Sequence, residues 1–441
     1  MTTPPLVRSR TSSARPCTAG RTRVSTYNPA PSDHSLANPD VRRSNLGLAL
    51  RFLRDHGPRS RAALATDLGV TRSTVSTLVA ELAERGLVTD GQVVQPAVGR
   101  PSVAVELDGR GVCGIGAELN VNHVSTMALD LRGEVVAERK LALDARSLDA
   151  EQVLGHLVDL VRETVQLLEQ RDALVVGLTV GVAGLYDSTN DVLTHGPNLG
   201  WYDVPVGSIL RRSLDADYPV TVDNEGNLAA AAEATPGDPL RQDILVLHGE
   251  VGVGGGIVAD GRLLRGSHGY AGEFGHMIVE PRGRRCGCGR QGCWETVSGL
   301  RALLERAADP DDPIRNPGMA IDDRLCELNR RAGLGDARTL DALEEVGAWV
   351  GFGAAMLANA LNPATIVLTG YYAAVGHHMQ AAIERELGAG VLAPDAGGTR
   401  VVLSTLGFSA AVRGGATAAL DAVFTDPGCV PRRTTTSGAT A

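Results

Sequence analysis

Three cysteines and a histidine fall within eighteen residues of a glycine-rich stretch, Gly275-His276-Met277 followed by Cys286-Gly287-Cys288-Gly289-Arg290-Gln291-Gly292-Cys293-Trp294-Glu295. Three thiolates and an imidazole make a four-ligand tetrahedral set suited to Zn²⁺, with each ligand roughly 2.0 to 2.3 Å from the ion. The intervening glycines let the backbone wrap closely around it. The competing arrangement is one disulfide and a spare thiol, but the Cys286-x-Cys288 spacing is too tight for an ordinary bridge. His276, Cys286, Cys288 and Cys293 are therefore expected to hold one structural zinc.

The elements that must position this loop read as a layered α/β domain. A hairpin is expected between Val121 and Val136 around Asp130-Leu131-Arg132-Gly133, then a helix whose apolar positions Val153, Leu157, Leu160, Val161, Val165 and Leu168 lie three or four apart. Strands at Leu174 to Val182, Val220 to Val222, Ile244 to Leu247 and Ile366 to Thr369 alternate with helical stretches, among them Thr339 to Leu361 and Ala410 to Val423. The 441 residues, 43% hydrophobic, exceed one typical domain. Residues 1–40 and 426–441 are rich in Ser, Thr, Pro and Arg and are expected as disordered tails. Neither a charged-then-apolar leader nor a run of about eighteen apolar residues is found, so a cytoplasmic protein is expected, with no membrane partner. The other cysteines, 17, 113, 326 and 429, are scattered, as in a reducing compartment.

Residues 41–107 have a different character. Between Val41 and Val105 nine arginines face five acids, locally +4 in a chain of net charge -9, the footprint of a nucleic-acid binder. Leu46, Ala49, Leu50 and Leu53 make one helical face, Ser60 can cap a short second helix bearing Leu64 and Leu68, and Thr71 can cap a third. That order is helix-turn-helix. The third helix offers Val75, Leu78, Val79 and Leu82 to a core. Arg72, Ser73, Thr74, Ser76 and Thr77 lie in its first turns, where a recognition helix meets base edges and phosphates. Strands at Val88 to Val94 and Val103 to Leu107 flank Gly99-Arg100-Pro101, a basic loop that could form a wing. Ser60, Thr71, Arg72, Ser73, Thr74, Ser76, Thr77 and Arg100 are the expected contacts to double-stranded operator DNA.

The segment His248 to Gly299, HGEVGVGGGIVADGRLLRGSHGYAGEFGHMIVEPRGRRCGCGRQGCWETVSG, resembles the signature of the ROK family (repressor, open reading frame, kinase). That family joins bacterial sugar kinases to sugar-responsive repressors. The resemblance implies a two-lobed, actin-like (ribonuclease H-like) domain over 111–425 behind an N-terminal winged helix-turn-helix domain over 41–107. It also implies that Asn224, Glu225, Glu273, His276 and Glu295 bind a sugar, a set whose groups can each donate to or accept from hydroxyls. One nitrogen of His276 would meet zinc and the other a hydroxyl.

The kinase parts depart from the family pattern. The general-base position carries Glu225 in place of Asp, and a carboxylate moved by on the order of 1 Å can cost roughly 100-fold. The first phosphate loop, Asp-x-Gly-Gly-Thr in the kinases, is here Glu118-Leu119-Asn120-Val121-Asn122; the second has Val251 in place of Thr; and Tyr371 and Tyr372 follow Gly370 in the turn that would cover adenosine. The implied function is a sugar-responsive transcription regulator without enzymatic activity, a repressor of carbohydrate-utilisation genes released from its operator by a sugar or sugar phosphate, acting as a homodimer or homotetramer. An ATP-dependent sugar kinase with a DNA-binding appendage is the alternative, and a zinc-responsive regulator a third.

Overall fold

The computed structural model describes residues 39–94, 102–235, 238, 240–392 and 398–433. The chain falls into two units, 1–42 and 43–441, and everything below concerns the second.

Its first part contains α1 (Pro39–His56, which begins in the other unit), β1 (Arg59–Ser60), α2 (Arg61–Leu68), α3 (Arg72–Glu84), β2 (Val88–Val94) and β3 (Ser102–Leu107). Leu46, Ala49, Leu50 and Leu53 pack on Leu64 and on Val75, Leu78, Val79 and Leu82, the faces that helical spacing required. Ser60 accepts from the Ala63 amide and Thr71 from the Thr74 amide, so each satisfies a donor that the helix start leaves unpaired. After α3 the chain turns at Gly86 (φ 68°), a left-handed position that favours glycine. The strands pair antiparallel in the order β1-β3-β2. Arg100 lies outside the described residues.

Two five-stranded sheets of one plan carry the rest. The first lobe runs β4 (Val112–Leu119), β5 (His123–Asp130), β6 (Val135–Ala142), α4 (Ala150–Glu169), β7 (Leu174–Val182), β8 (Leu185–Asp187), β9 (Val192–Gly196), β10 (Trp201–Val204), α5 (Val206–Leu214), β11 (Val220–Asn224) and α6 (Glu225–Glu233). The second runs β12 (Ile244–Gly249), β13 (Val253–Ala259), β14 (Arg262–Leu263), α7 (Glu295–Ser298), α8 (Leu300–Ala307), α9 (Ile321–Gly333), α10 (Ala337–Leu361), β15 (Thr365–Gly370), α11 (Tyr371–Gly390), β16 (Arg400–Leu403) and α12 (Ala410–Thr425). The sheet orders are β6-β5-β4-β7-β11 and β14-β13-β12-β15-β16. In both, the first strand pairs antiparallel with the second and parallel with the fourth. Strands β4, β12 and β15 are buried at every residue, which fits near-continuous apolar runs covered on both faces. Each lobe has its own core, and the α/β fold expected from the resemblance is found.

Helix α12 touches all three parts. A Cβ on its Gly414 would stand 1.9 Å from the Leu228 carbonyl oxygen of α6, so only glycine permits that approach. At its other end Leu420, Val423 and Phe424 join the core of α1 and α3, and Arg51 of α1 donates to the Phe424 carbonyl at 2.6 Å.

The tail expected to be disordered from 426 differs at its start. Pro427–Cys429 form a 3₁₀ turn, Val430 is buried with the α1 and α3 core, and the Arg433 amide donates to the Glu84 carbonyl at 2.8 Å. One buried valine and satisfied backbone groups order a segment whose composition promised nothing. Residues 434–441 lie outside the described residues. Among the described residues no helix is long and apolar enough to cross a membrane.

Candidate functional site

The carboxyl ends of β4, β11 and β12 converge on one cleft, where open α/β sheets characteristically take ligands. It has a volume of about 590 Å³ with its mouth, and Asn120, Asn224, Glu225, Glu250, Glu273, His276 and Glu295 line it. The five residues expected to meet a sugar are thus brought together.

Asn224 closes β11 and caps α6. Its Oδ1 accepts from the Gly226 and Asn227 amides (2.8 and 3.3 Å) and its Nδ2 donates to the Gly184 carbonyl at 2.9 Å, which leaves one amide hydrogen for a ligand. Glu225 opens α6. Burial, then the charges of Glu118 and Glu273, push its carboxyl well above the usual range. Asn120 stands where the kinases carry a glycine; its Nδ2 donates to Glu118 at 3.0 Å and to Glu225 at 3.2 Å, tying the two carboxylates together.

Glu273 and His276 lie at the 3₁₀ turn Phe274–His276, and Glu295 opens α7. His276 Nε2 lies 3.9 Å from Glu273, and its Nδ1 lies 3.7 Å from Glu295. Burial, and next the neighbouring Glu295, push Glu273 up to about 7.

The cysteine loop folds back on His276. Cys288 and Cys293 sulfurs are 3.6 Å apart, too far for the S–S bond of about 2.05 Å, and Cys286 Sγ lies 3.7 Å from His276 Nδ1. A tetrahedron with ligands roughly 2.0 to 2.3 Å from its centre has edges of about 3.3 to 3.8 Å. All four donor atoms lie within 4.8 Å of one another, so the cluster can hold a metal ion. The Cys286 thiol also donates to Glu295 at 2.8 Å, which links the metal set directly to the cleft.

On α3, Arg72, Ser73, Ser76 and Thr77 are exposed on one face. Ser76 and Thr77 return their hydroxyl protons to the carbonyls of Arg72 and Ser73 (2.9 and 3.1 Å) and keep oxygen lone pairs outward. Thr74 is placed differently from the expectation: it is 9% exposed, with its hydroxyl 2.9 Å from that of Thr71. It faces inward because it sits one residue before Val75, on the buried edge of the helix. Ser60 and Thr71 serve as caps.

At the nucleotide-type loops, Tyr371 and Tyr372 are fully buried and both hydroxyls donate to the Ser298 carbonyl. Their rings stand against Gly249, where even a Cβ would meet ring carbons at 2.7 to 2.8 Å. Asn120 and Val121, in the segment that resembles the kinases' first phosphate loop, line the cleft.

Glu250 carries no signal in the sequence: it is only the residue before Val251 in the glycine run, and nothing in its spacing announces that its carboxylate lies within 4.8 Å of ligand atoms of Glu118 and His248.

The sequence model of the ROK family matches residues 114–422 and that of the MarR family residues 47–93. A xylose repressor of Bacillus spizizenii is 29% identical over 329 residues, 74% of this chain and 82% of that one. A glucokinase of Halalkalibacterium halodurans is 30% identical over 310 residues, 68% of this chain and 93% of its own length. A crystal structure of a ROK family transcriptional regulator, a homolog of the E. coli MLC protein, superimposes with a TM-score of 0.69 at 24% identity, over 88% of this chain and 97% of that one.

Proposed function

The chain belongs to the ROK family, and from that premise we propose that it is a sugar-responsive, DNA-binding transcription regulator that lacks kinase activity. The single observation that carries this reading is the joining, through one helix, of a MarR-like helical module to a ROK cleft whose nucleotide loops are filled with side chains. The proposal divides the chain into a winged helix-turn-helix reader over 41–107, with α3 entering the major groove, and a sensing domain over 111–425. Arg72, Ser73, Ser76 and Thr77 on the exposed face of α3, with Arg100 beyond β2, are the proposed contacts to operator DNA.

Asn224, Glu225, Glu273, His276 and Glu295 are the proposed sugar contacts, and the effector is a sugar or sugar phosphate that releases a repressor. Support comes from their common cleft and from the mixture of donors and acceptors a polyol requires. His276, Cys286, Cys288 and Cys293 would hold structural Zn²⁺, and the ion would fix the loop that presents Glu295 and the outward nitrogen of His276. Release would follow a shift of α12 between two arrangements, since α6 begins at Glu225 and rests on Gly414 while Phe424 supports α1. In a homodimer or homotetramer that shift would move paired α3 helices out of register with half-sites about one helical turn, or a multiple, apart.

The glucokinase relative favours the rival reading of an active kinase. A coupled assay with ATP and a panel of sugars decides it: no phosphorylation above background is expected, and turnover of even about 1 s⁻¹ would overturn the non-catalytic assignment. The regulator itself is tested by thermal shift against sugars and sugar phosphates, then by operator release with the sugar that stabilises.

A further inference from the structure

Glu118, His248 and Glu250 meet at the floor of the cleft, from the carboxyl ends of the strands that open the two repeated sheets. Glu118 lies near the end of β4, His248 near the end of β12, and Glu250 just beyond. All three are at least nine-tenths buried: Glu118 and His248 are 0% exposed and Glu250 5%. Among the described residues Glu118 Oε2, His248 Nε2 and both carboxylate oxygens of Glu250 find no hydrogen-bond partner. Each residue nonetheless offers one ligand atom within 4.8 Å of the others.

The imidazole is oriented from behind. His248 Nδ1 lies 2.7 Å from the hydroxyl of the buried Thr369, whose oxygen also lies 3.4 Å from the Leu247 carbonyl. The Thr369 hydroxyl can give its proton to that carbonyl and accept from Nδ1. The lone pair of His248 Nε2 is then left without a hydrogen-bond partner, 3.7 Å from Glu250 Oε1. A hydrogen bond needs less than about 3.2 Å, whereas two ligands of one ion stand on the order of 3.3 Å apart or more in a tetrahedral set. An imidazole whose far nitrogen is bonded and whose near nitrogen faces carboxylates is the usual arrangement of a metal ligand.

We propose that Glu118, His248 and Glu250 form a second metal site, for a divalent first-row cation of the Mn²⁺ type, on the floor of the cleft. Two carboxylates and one imidazole make a hard, oxygen-dominated set, unlike the thiolate set of His276, Cys286, Cys288 and Cys293, so the two sites sort different metals. Three carboxyl groups crowd the site with few donors to answer them: Glu118, Glu225 and Glu250 are all buried, Asn120 donates to only two of them, and His123 reaches Glu118 at 3.9 Å. Three protein ligands leave coordination positions open. Glu250 lines the cleft, and Glu118 and His248 are wholly buried beside it, so an ion held by the three would lie next to whatever the cleft admits.

The site is tested with Mn²⁺ alone, on the zinc-replete full-length protein, by titrating the ion and following the electron paramagnetic resonance signal of free Mn²⁺. One ion per chain is expected to disappear from that signal. Glu250→Gln and His248→Gln each remove a ligand; loss of a mere supporting residue weakens metal binding by about 10 to 100-fold, so these substitutions should weaken it at least as much. Asp159→Asn, on the exposed surface of α4, should leave uptake unchanged. An undiminished free signal with protein in excess overturns the proposal, as does wild-type affinity in both ligand variants. Should a variant fail to fold, anomalous scattering from Mn²⁺-soaked wild-type crystals decides: a peak among these three side chains supports the site, and a peak elsewhere or none overturns it. The measurement contains no sugar, so its failure leaves the sugar reading standing, and failure of every sugar to bind leaves the Mn²⁺ result intact.

Discussion

The N-terminal module and the cleft use polar side chains in opposite ways. On α3 the groups assigned to DNA are exposed and sit on one helical face within six residues, with a plain apolar core behind them. In the cleft the polar groups are buried or half-buried, some come from segments more than a hundred residues apart, and they crowd carboxyl groups together at a cost in desolvation. A surface that meets a polyanion needs only a periodic face. A pocket that grips a small ligand needs convergence, and the fold must supply it. The cysteine loop is the one part of the cleft built locally, and it is therefore where the contrast can be broken with a single change.

The largest effect is expected there. Cys288→Ser removes one of the four residues of the proposed zinc site, and metal binding by a closed set of this kind is coupled to folding. Zinc content, measured by metal analysis, should fall from about one per chain to well below it, and the loop bearing His276 and Glu295 should lose protection from proteolysis. DNA affinity of the module should change far less, since its core lies with α12 and not with this loop. A wild type that is folded and metal-free would remove the zinc assignment.

Next in size is Glu273→Ala. It deletes a carboxylate that lines the cleft beside His276, and loss of charge-assisted bonds to a sugar hydroxyl should cost roughly 1.5 to 3 kcal/mol of sugar affinity. Operator binding without sugar should survive, so the variant is expected to act as a super-repressor in an operator-release titration. Release at the wild-type sugar concentration would remove these residues from the effector pocket.

The contrast also explains what could be read from the sequence. The strand Leu174–Val182, the long helix ending at Leu361 and the caps Ser60 and Thr71 were legible because each rests on local periodicity or a single side-chain bond. The cluster that can hold a metal ion was legible because its four residues span eighteen positions. Strands β8 to β10 were not, since runs of three to five residues carry too little alternation to register. Glu118, His248 and Glu250 were not either: 130 residues separate the first two, and only the repeated sheet plan aims both strand ends at one point. The proposed sugar contacts follow from the ROK resemblance, which carries information that spacing does not. Thr74 shows the limit even of a good periodicity, because a position at the edge of a helical face can turn either way.

Arg72→Ala tests the exposed side of the contrast. The residue opens α3 with its side chain in solvent. Its loss should weaken operator binding by about 1 to 3 kcal/mol if it reads a base; if it holds a phosphate, it should weaken all sequences alike and reduce the salt slope by about 1. Binding measured at several salt concentrations separates the two. If residues 41–107 lack any salt-dependent affinity for their own upstream DNA, the regulator reading fails.

The smallest effect sharpens the comparison most, because it touches the module through its backbone. Thr71 accepts from the Thr74 amide and its hydroxyl contacts those of Ser73 and Thr74. Thr71→Ala leaves that amide unpaired at the start of the helix and should cost about 1 kcal/mol. The buried face of α3 stays intact, so the module should still fold, with the first turn bearing Arg72 and Ser73 frayed. Urea unfolding should therefore show a small fall in stability, accompanied by a loss of operator affinity larger than the removal of one uncharged hydroxyl explains. Zinc content and sugar affinity should not move. If sugar affinity does change, the α3 start is coupled to the cleft through α12 even without DNA, and the division into an independent reading face and an independent gripping pocket is wrong.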